Sequence, residues 1–272
     1  MMRKLYPGGK HRAVNFSFDD GVVQDIRFVE LLNKYGLKGT FNLNYGLMIQ
    51  HFTWQHECGM TVRRLDENAV CGIYRGHEIA SHSYSHPYFD NSPEEEILKE
   101  LGSDRFFLER LTGTEVEGYA TPFYHYSDLM EDCVKKCGFR YARISEKTDD
   151  CSIPANFYRW KGSKFLWDED LEDFVRGFLE TDRELALCQI VGHSYDLDVM
   201  NLWESMERIC HGLASSGDVW AATHGQLVRY LQNMEMLRIT GHEIKNESCA
   251  ALWLELDGTV RKLEPGETIE IY

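Results

Sequence analysis

The sequence lacks an apolar run long enough to cross a bilayer, and it is poor in basic residues relative to acidic ones. A helix that spans the hydrocarbon core needs about 18 consecutive apolar residues, and no stretch of the 272 residues approaches that length. Lys and Arg number 29 against 44 Asp and Glu, which gives a formal net charge of -15. Because such a chain repels phosphate backbones and anionic lipid surfaces, we expect neither a membrane span nor a nucleic-acid partner.

Other absences narrow the class of protein further. The N-terminal stretch MMRKLYPGGKHRAV contains no apolar segment of the kind found in secretion signals, and the eight cysteines are scattered along the chain. We therefore expect free thiols and a cytoplasmic protein. The chain contains neither the phosphate-loop pattern GxxxxGK followed by Ser or Thr nor the dinucleotide fingerprint GxGxxG, so no nucleotide cofactor is implied.

Short strand-like runs alternate with helical patterns along most of the chain. The first run, AVNFSFD, alternates apolar and polar residues, and LALCQIVGHS is almost wholly apolar, which is typical of a strand buried on both faces. This repetition predicts an α/β fold with a mainly parallel sheet, either open or closed into a barrel. From residue 238 the pattern changes to short strands with a turn signal at Asp257–Gly258. We predict a main domain over residues 1–237 and a small β appendage over residues 238–272.

The first strand ends in two adjacent carboxylates, Asp19 and Asp20, in the motif FSFDDG. In parallel α/β folds the chemistry collects at the carboxyl ends of the strands. Two carboxylates in a desolvated site repel each other unless a cation or a shared proton offsets their charge. One Asp could therefore bind a divalent metal while its neighbour stays free as a base. The alternative is that the pair only caps the following helix.

The motif HSYSH follows the strand-like run HEIA and places His82 and His86 four residues apart. Both imidazoles can then face one point. With a carboxylate from another strand they make a His, His, Asp set with open coordination positions, which suits Zn, Fe, Co, Ni or Mn. The spacing by itself also fits a polar surface loop. The Asp pair at another strand end favours the metal site.

Four motifs in order, FSFDDG, HSYSH, YATPFY and IVGHSYD, resemble those of the polysaccharide deacetylases, carbohydrate esterase family four. The resemblance runs from Ala13 to Leu231. It implies a distorted (β/α) barrel with about seven parallel strands, beside the small C-terminal β appendage. It also implies a metal-dependent hydrolase that removes an N- or O-linked acetyl group from a carbohydrate, with Zn as the favoured metal.

The resemblance implies roles for catalytic residues, metal ligands and substrate contacts. Asp19 would be the general base and His193 the general acid. His224, after the late strand VWA, could face the same pocket or lie in a loop. The metal ligands would be Asp20, His82 and His86. The substrate contacts would be Pro122, Phe123, Tyr124 and Tyr195.

Two departures from the family pattern leave the function open. Ala120 stands where many members carry an Arg that contacts the catalytic Asp. The Asp-Trp motif that usually follows is not recognisable, and neither Asp149 nor Trp160 aligns with it. The alternatives are a metal-dependent hydrolase of a non-sugar amide and a carbohydrate-binding homologue with weak turnover. The sequence does not indicate the oligomeric state.

Overall fold

The computed structural model describes residues 2–270 and shows helices packed around a parallel sheet. The strands within these residues are β1 Met2–Leu5, β2 Arg12–Asp19, β3 Gly39–Leu43, β4 Thr53–Gln55, β5 Thr61–Arg63, β6 Glu78–Ser81, β7 Gly118–Ala120, β8 Tyr141–Lys147, β9 Trp160–Gly162, β10 Lys164–Phe165, β11 Ala186–Gly192, β12 Val219–Ala221, β13 Leu237–Thr240, β14 Glu243–Asn246, β15 Leu252–Leu256, β16 Thr259–Leu263 and β17 Thr268–Glu270. The helices are α1 Asp25–Lys34, α2 Tyr45–Ile49, α3 Glu67–Ile73, α4 Glu94–Thr112, α5 Asp128–Lys136, α6 Leu171–Glu180, α7 Ser194–Val199, α8 Trp203–Ser215 and α9 His224–Glu235, with a 3-10 turn at Phe157–Arg159.

The parallel sheet curls into a nearly closed barrel. Its strand order is β10-β11-β2-β3-β6-β7-β8-β9, and every neighbouring pair is parallel. Only Ser163 separates β9 from β10, so one interrupted segment pairs with β8 on one side and with β11 on the other. Counted this way, residues 2–270 contribute seven strands to the ring, and β12 is an eighth that pairs with the start of β2. The predicted barrel is confirmed.

The alternation within β2 separates the outer core from the barrel interior. Phe16 and Phe18 face the helices, and their ring centroids lie 5.8 and 4.1 Å from that of Phe28 in α1. Asn15 and Ser17 have the opposite orientation, are fully buried, and hydrogen-bond to polar side chains of β3. Because side chains alternate along a strand, the inward polar row of β2 ends at the mouth of the barrel.

Local sequence signals set the helix ends, with one shift. Ser127 caps α5, since its side chain accepts a hydrogen bond from the backbone N–H of Met130. For the long helix, the stretch Ser92–Pro93 is typical of an N-cap followed by the first turn, but the structure has Pro93 at the N-cap and begins α4 at Glu94. Proline fits this extended position because it has no N–H that the first turn would leave unpaired.

The chain between β3 and β6 departs most from the predicted layout. No element is predicted there, but the structure forms α2, the antiparallel hairpin β4–β5 and α3. The strands of this hairpin are three residues long, which is too short for a periodic pattern to register. The end of the hairpin packs on the loop after β2, where the N–H of Val23 donates to the carbonyl of Arg63 and that of Leu65 to Gly21.

Two further small antiparallel sheets contain the C-terminal strands, and one of them also contains the N-terminal strand β1. One has the order β13-β14-β17, and the other has the order β1-β15-β16. Asp257 and Gly258 join β15 to β16 as predicted, and both have positive φ, the backbone of a two-residue hairpin turn. The predicted last strand ETIEIY appears as β17, and its residues 271–272 lie outside the described residues. The domain division after residue 237 stays a prediction.

The structure also bears on two expectations from composition. Within residues 2–270, no helix is both long and apolar enough to cross a membrane. All eight cysteines lie within these described residues, and all are free thiols, as predicted.

The close contact between β7 and β8 at Gly118 can be tested by substitution. A Cβ on Gly118 would overlap the ring of its β8 partner Tyr141. That ring is fully buried, and its hydroxyl donates to Glu78 Oε1 at 3.0 Å, so it cannot easily move aside. We predict that Gly118→Ala lowers the free energy of unfolding by about 1–3 kcal/mol, measured by denaturant titration.

Gly72, exposed in α3, provides the matched control for this substitution. A Cβ there meets nothing within 4 Å, and alanine is the better helix former. Gly72→Ala should therefore leave the free energy of unfolding unchanged or raise it. A Gly118→Ala protein as stable as the wild type would contradict the close contact between β7 and β8.

Candidate active site

The carboxyl ends of β2, β6 and β11 bring together the five residues predicted to be catalytic or metal-binding. Asp20 Oδ1 lies 3.9 Å from His82 Nε2 and 3.7 Å from His86 Nε2. Asp20 Oδ2 lies 3.9 Å from His193 Nε2, and Asp19 Oδ2 lies 3.9 Å from His82 Nε2. All five side chains line one cavity of about 650 Å³.

Asp20, His82 and His86 have the arrangement of a divalent-metal site. One ligand atom from each lies within 4.8 Å of the others. Oδ1 of Asp20 is buried and accepts no hydrogen bond from any described residue, although Arg64 Nη2 lies 3.0 Å away as an ion-pair partner. This oxygen, which has an ion-pair contact but no hydrogen bond, and the two imidazole nitrogens that it faces make a donor set that Zn²⁺ and similar cations favour. The residues present therefore fit a metal.

A hydrogen bond at the other ring nitrogen of His82, and the burial of both His82 and His86, prepare the two imidazoles to bind a metal. His82 Nδ1 lies 2.8 Å from the carbonyl oxygen of Ala120 and donates to it, which leaves the lone pair of Nε2 directed at Asp20. Burial lowers the pKa of His82 to about 3 and also lowers the pKa of His86. Both rings are therefore neutral, the form that coordinates metals.

Asp19 is held by Arg143 and Asn42, which no sequence motif identifies. Arg143 forms a buried ion pair with Asp19 Oδ1, and Asn42 Nδ2 donates to the same oxygen at 2.7 Å. Burial works to raise the pKa of Asp19, but the charge of Arg143 holds it below its ordinary value. Asp19 is therefore an ionised proton acceptor.

The resemblance implies an Arg at the position of Ala120, and Arg143 lies on the neighbouring strand. Arg143 in β8 is the register partner of Ala120 in β7, so its guanidinium starts one strand further around the barrel. The sequence carries one signal for this residue, because a charged side chain interrupts the otherwise apolar start of the strand YARIS. Arg143 is 1% exposed, which an arginine rarely is without a charged partner.

His193 directly follows β11, and Asp196 orients it. His193 Nδ1 lies 2.9 Å from Asp196 Oδ2, which directs Nε2 towards Asp20. Burial opposes protonation, but the hydrogen bond that His193 donates to Asp196 and the charge of Asp20 raise the pKa of His193 to about 9. The protonated ring is a proton donor to the cavity. The three-residue spacing within HSYD, at the start of α7, is the signal for this pair.

Stacked aromatic rings form much of the cavity wall. Trp167 stacks on His193 with centroids 6.1 Å apart, and His193 stacks on Tyr195 with centroids 4.8 Å apart. A second stack joins Phe123, which lines the cavity, to the exposed Tyr88, which does not, with ring centroids 3.5 Å apart. Such flat, apolar faces suit the faces of ring-shaped groups. Further apolar lining comes from Leu47, Phe52, Trp54, Tyr124, Phe165 and Val191.

The predicted substrate contacts divide into those at the cavity and one behind it. Phe123, Tyr124 and Tyr195 line the cavity. Pro122 is buried outside the lining, and its neighbour Thr121 contributes to the wall instead. The reason is local backbone geometry, since Phe123 has a positive φ of 53° and turns the chain at that point.

The usual Asp-Trp motif is not formed by the two residues considered in the sequence. Trp160 is buried in the barrel core, with its ring centroid 4.2 Å from that of His224. His224 is thus a core residue and lies neither in a loop nor in the cavity lining. Asp149 pairs with two lysines. The ring and the carboxylate beside the proton donor come from Trp167 and Asp196.

Comparison with known proteins gives the family. The family model for polysaccharide deacetylases matches residues 7–142, half of the chain. The peptidoglycan deacetylase of Helicobacter pylori (strain ATCC 700392 / 26695) is 26% identical over 119 residues, which cover 42% of this chain and 34% of that protein. The similarity therefore spans about a third of the length of this curated relative.

Solved structures agree with the family match. A Mycobacterium smegmatis protein assigned as a polysaccharide deacetylase has a TM-score of 0.66 at 18% identity, over 88% of this chain and 96% of that one. A family 4 acetyl xylan esterase from Clostridium thermocellum, in complex with a cobalt ion, has a TM-score of 0.52 at 18% identity, over 79% and 89%. At these identities the likeness establishes the fold. The chain belongs to the polysaccharide deacetylase family, and its barrel has the fold of the family 4 carbohydrate esterases.

Proposed function

We propose that this protein removes N- or O-linked acetyl groups from a carbohydrate, with a divalent cation held by Asp20, His82 and His86. The proposal rests on the buried Asp20 Oδ1, which faces two imidazole nitrogens and accepts no hydrogen bond within the described chain. Zn²⁺ suits two neutral imidazoles and a carboxylate best, and Co, Ni, Fe and Mn are chemically acceptable. The cobalt in the acetyl xylan esterase is consistent with this range.

Asp19 would act as the general base. The bound cation would polarise the acyl carbonyl and lower the pKa of water at the site. Asp19 then accepts a proton from the attacking water. Its ion pair with Arg143 and its hydrogen bond from Asn42 support this role, because they orient one oxygen and keep the carboxylate ionised. A positioned general base typically contributes about 10²–10⁴-fold to the rate.

His193 would act as the general acid. It donates a proton to the nitrogen or oxygen of the leaving sugar, and acetate and the free amine or hydroxyl depart. Asp196 supports this role in two ways, since it sets the ring orientation and helps raise the pKa of His193 to about 9. The acid and the base come from different strand ends, β11 and β2, so each can face a different atom of the substrate.

The cavity lining supports an uncharged, ring-bearing substrate. Its four charged side chains outside the histidines pair with one another, Asp19 with Arg143 and Asp20 with Arg64. None of the four is left to recognise a charged group on a substrate. The stacked rings offer faces for sugar rings, and a volume of about 650 Å³ is in the range of ligand pockets. An N-acetylated or O-acetylated sugar meets both requirements.

Metal content and acetate release together test the proposal. The protein is purified without added metal, bound metals are measured by mass spectrometry, and acetate release is followed from N-acetylated oligosaccharides and acetylated xylan. We expect about one cation per chain and acetate release that depends on added Zn or Co. Release only from small non-sugar amides would indicate an amide hydrolase. A bound cation without any release would indicate a binding homologue, and no binding after metal addition would overturn the metal site.

Substitution should separate the metal ligands from the base. We predict that His82→Ala removes the bound cation, because it deletes a neutral nitrogen donor from the set within 4.8 Å. Asp19→Asn should retain the cation and lose activity by about 10²-fold or more, because the amide cannot accept the proton. Metal analysis and initial rates measure the two effects. His211→Ala, at an exposed position in α8, is the control, and full metal content in His82→Ala would contradict the assignment.

The pair formed by His193 and Asp196 gives a second test. We predict that Asp196→Asn lowers kcat by about 10²-fold and leaves metal content unchanged, because the orienting negative charge on the general acid is lost. Asp198→Asn is the matched control in the same helix, since Asp198 hydrogen-bonds to Trp203 instead. Equal kcat values for the two variants would argue against His193 as the acid.

A further inference from the structure

A buried arginine lies against the carboxylate that would hold the cation. Arg64 Nη2 is 3.0 Å from Asp20 Oδ1, the same oxygen that faces His82 and His86. Arg64 Nη1 donates to the main-chain oxygen of Asp20 and, at 2.6 Å, to Asn44 Oδ1. A full positive charge therefore shares its carboxylate partner with the proposed metal.

The hairpin β4–β5 holds this arginine in place. The N–H of Leu65, the next residue, donates to the carbonyl of Gly21 at 2.8 Å. The guanidinium also lies 5.2 Å from the ring centroid of Trp54. Asp20 itself has a φ of 83°, a backbone conformation that is unfavourable for a residue with a side chain. Arg64 thus stabilises both the side chain and the main chain of a strained ligand.

The charges of the site are balanced without a cation. Asp19 and Asp20 are each 5% exposed, and each pairs with one buried arginine. The two positive and two negative charges therefore cancel, and the protonated His193 pairs with Asp196. A divalent cation adds two positive charges to this neutral set, and one of its ligands is already in contact with a guanidinium. An isolated buried carboxylate, by contrast, would be strongly destabilised.

We propose that Arg64 is a resident counter-charge that keeps Asp20 in place when no cation is bound and weakens the binding of the cation. The inference rests on the proposed function, because it requires Asp20 to be a metal ligand. A bound ligand stabilises a protein in proportion to its preference for the folded state, and a carboxylate that is already paired gains less from the metal. Arg64 is a positioning residue in this scheme.

Arg64→Met tests the proposal, because it removes the charge and keeps an unbranched apolar stem. Chelator-treated protein is melted with and without Zn²⁺, and the Zn²⁺ Kd is measured by competition with a chromophoric chelator. Without Zn²⁺ we expect a Tm about 5–10 °C below that of the wild type. The rise in Tm on adding Zn²⁺ should exceed the wild-type rise, and Kd should fall by at least about tenfold because a repulsive charge is gone.

Two further variants complete the test. Arg64→Lys restores a positive charge and should return the Zn²⁺ Kd towards the wild-type value. Arg63→Met removes the same charge from the exposed neighbouring residue and should behave as the wild type. If Arg64→Met does not fold, Arg64→Gln replaces it in the same comparison.

The outcomes distinguish this inference from the proposed function. A neutral variant at residue 64 with an equal or weaker affinity for Zn²⁺ than the wild type would overturn the counter-charge role. If Arg64 were only structural, its substitution would lower the Tm and leave the Zn²⁺ Kd unchanged, and this result would also contradict the counter-charge role. Wild-type protein that binds no Zn²⁺ would overturn the proposed function itself.

Discussion

Two buried carboxylates at the end of one strand require positive charge, and the rest of the site is arranged to supply it. Each carboxylate is 5% exposed, and an unpaired charge at such a position destabilises a fold by several kcal/mol. Arg143 from β8 compensates Asp19, and Arg64 from the end of the hairpin compensates Asp20. The oxygen of Asp20 that contacts Arg64 also faces two neutral imidazoles, and these three residues form the proposed cation site. Charge compensation thus connects the barrel, the hairpin and the proposed chemistry.

The barrel makes this arrangement possible because its parallel strands all end at one mouth. The inward row of β2 ends in the acidic pair, β6 leads to His82, and β11 leads to His193. The strand neighbours then orient these groups, since a carbonyl of β7 accepts from His82 and the amide of Asn42 in β3 donates to Asp19. Neighbouring strands lie about 4.8 Å apart, so each functional group has rigid partners on both sides.

The site also shows that one physical role can be filled from different positions in the chain. The guanidinium beside the proposed base comes from Arg143, the register partner of Ala120 one strand away. The carboxylate and the ring beside the proposed acid come from Asp196 and Trp167. An arginine side chain is long enough to reach across one strand spacing, so an Arg on either neighbouring strand can place its guanidinium beside the carboxylate.

The amino-acid sequence is enough to predict the alternation of strands and helices, the acidic pair at the end of β2, and the histidines of HSYSH and GHSYD. These features are local, because periodicity and motif spacing involve residues a few positions apart. Only the tertiary structure revealed the partners Arg64 and Arg143, which are 44 and 124 residues distant from the carboxylates they compensate. It also shows that His224 and Trp160 lie in the core. Closure of the sheet decides such contacts, and no short stretch of sequence records which strands will become neighbours.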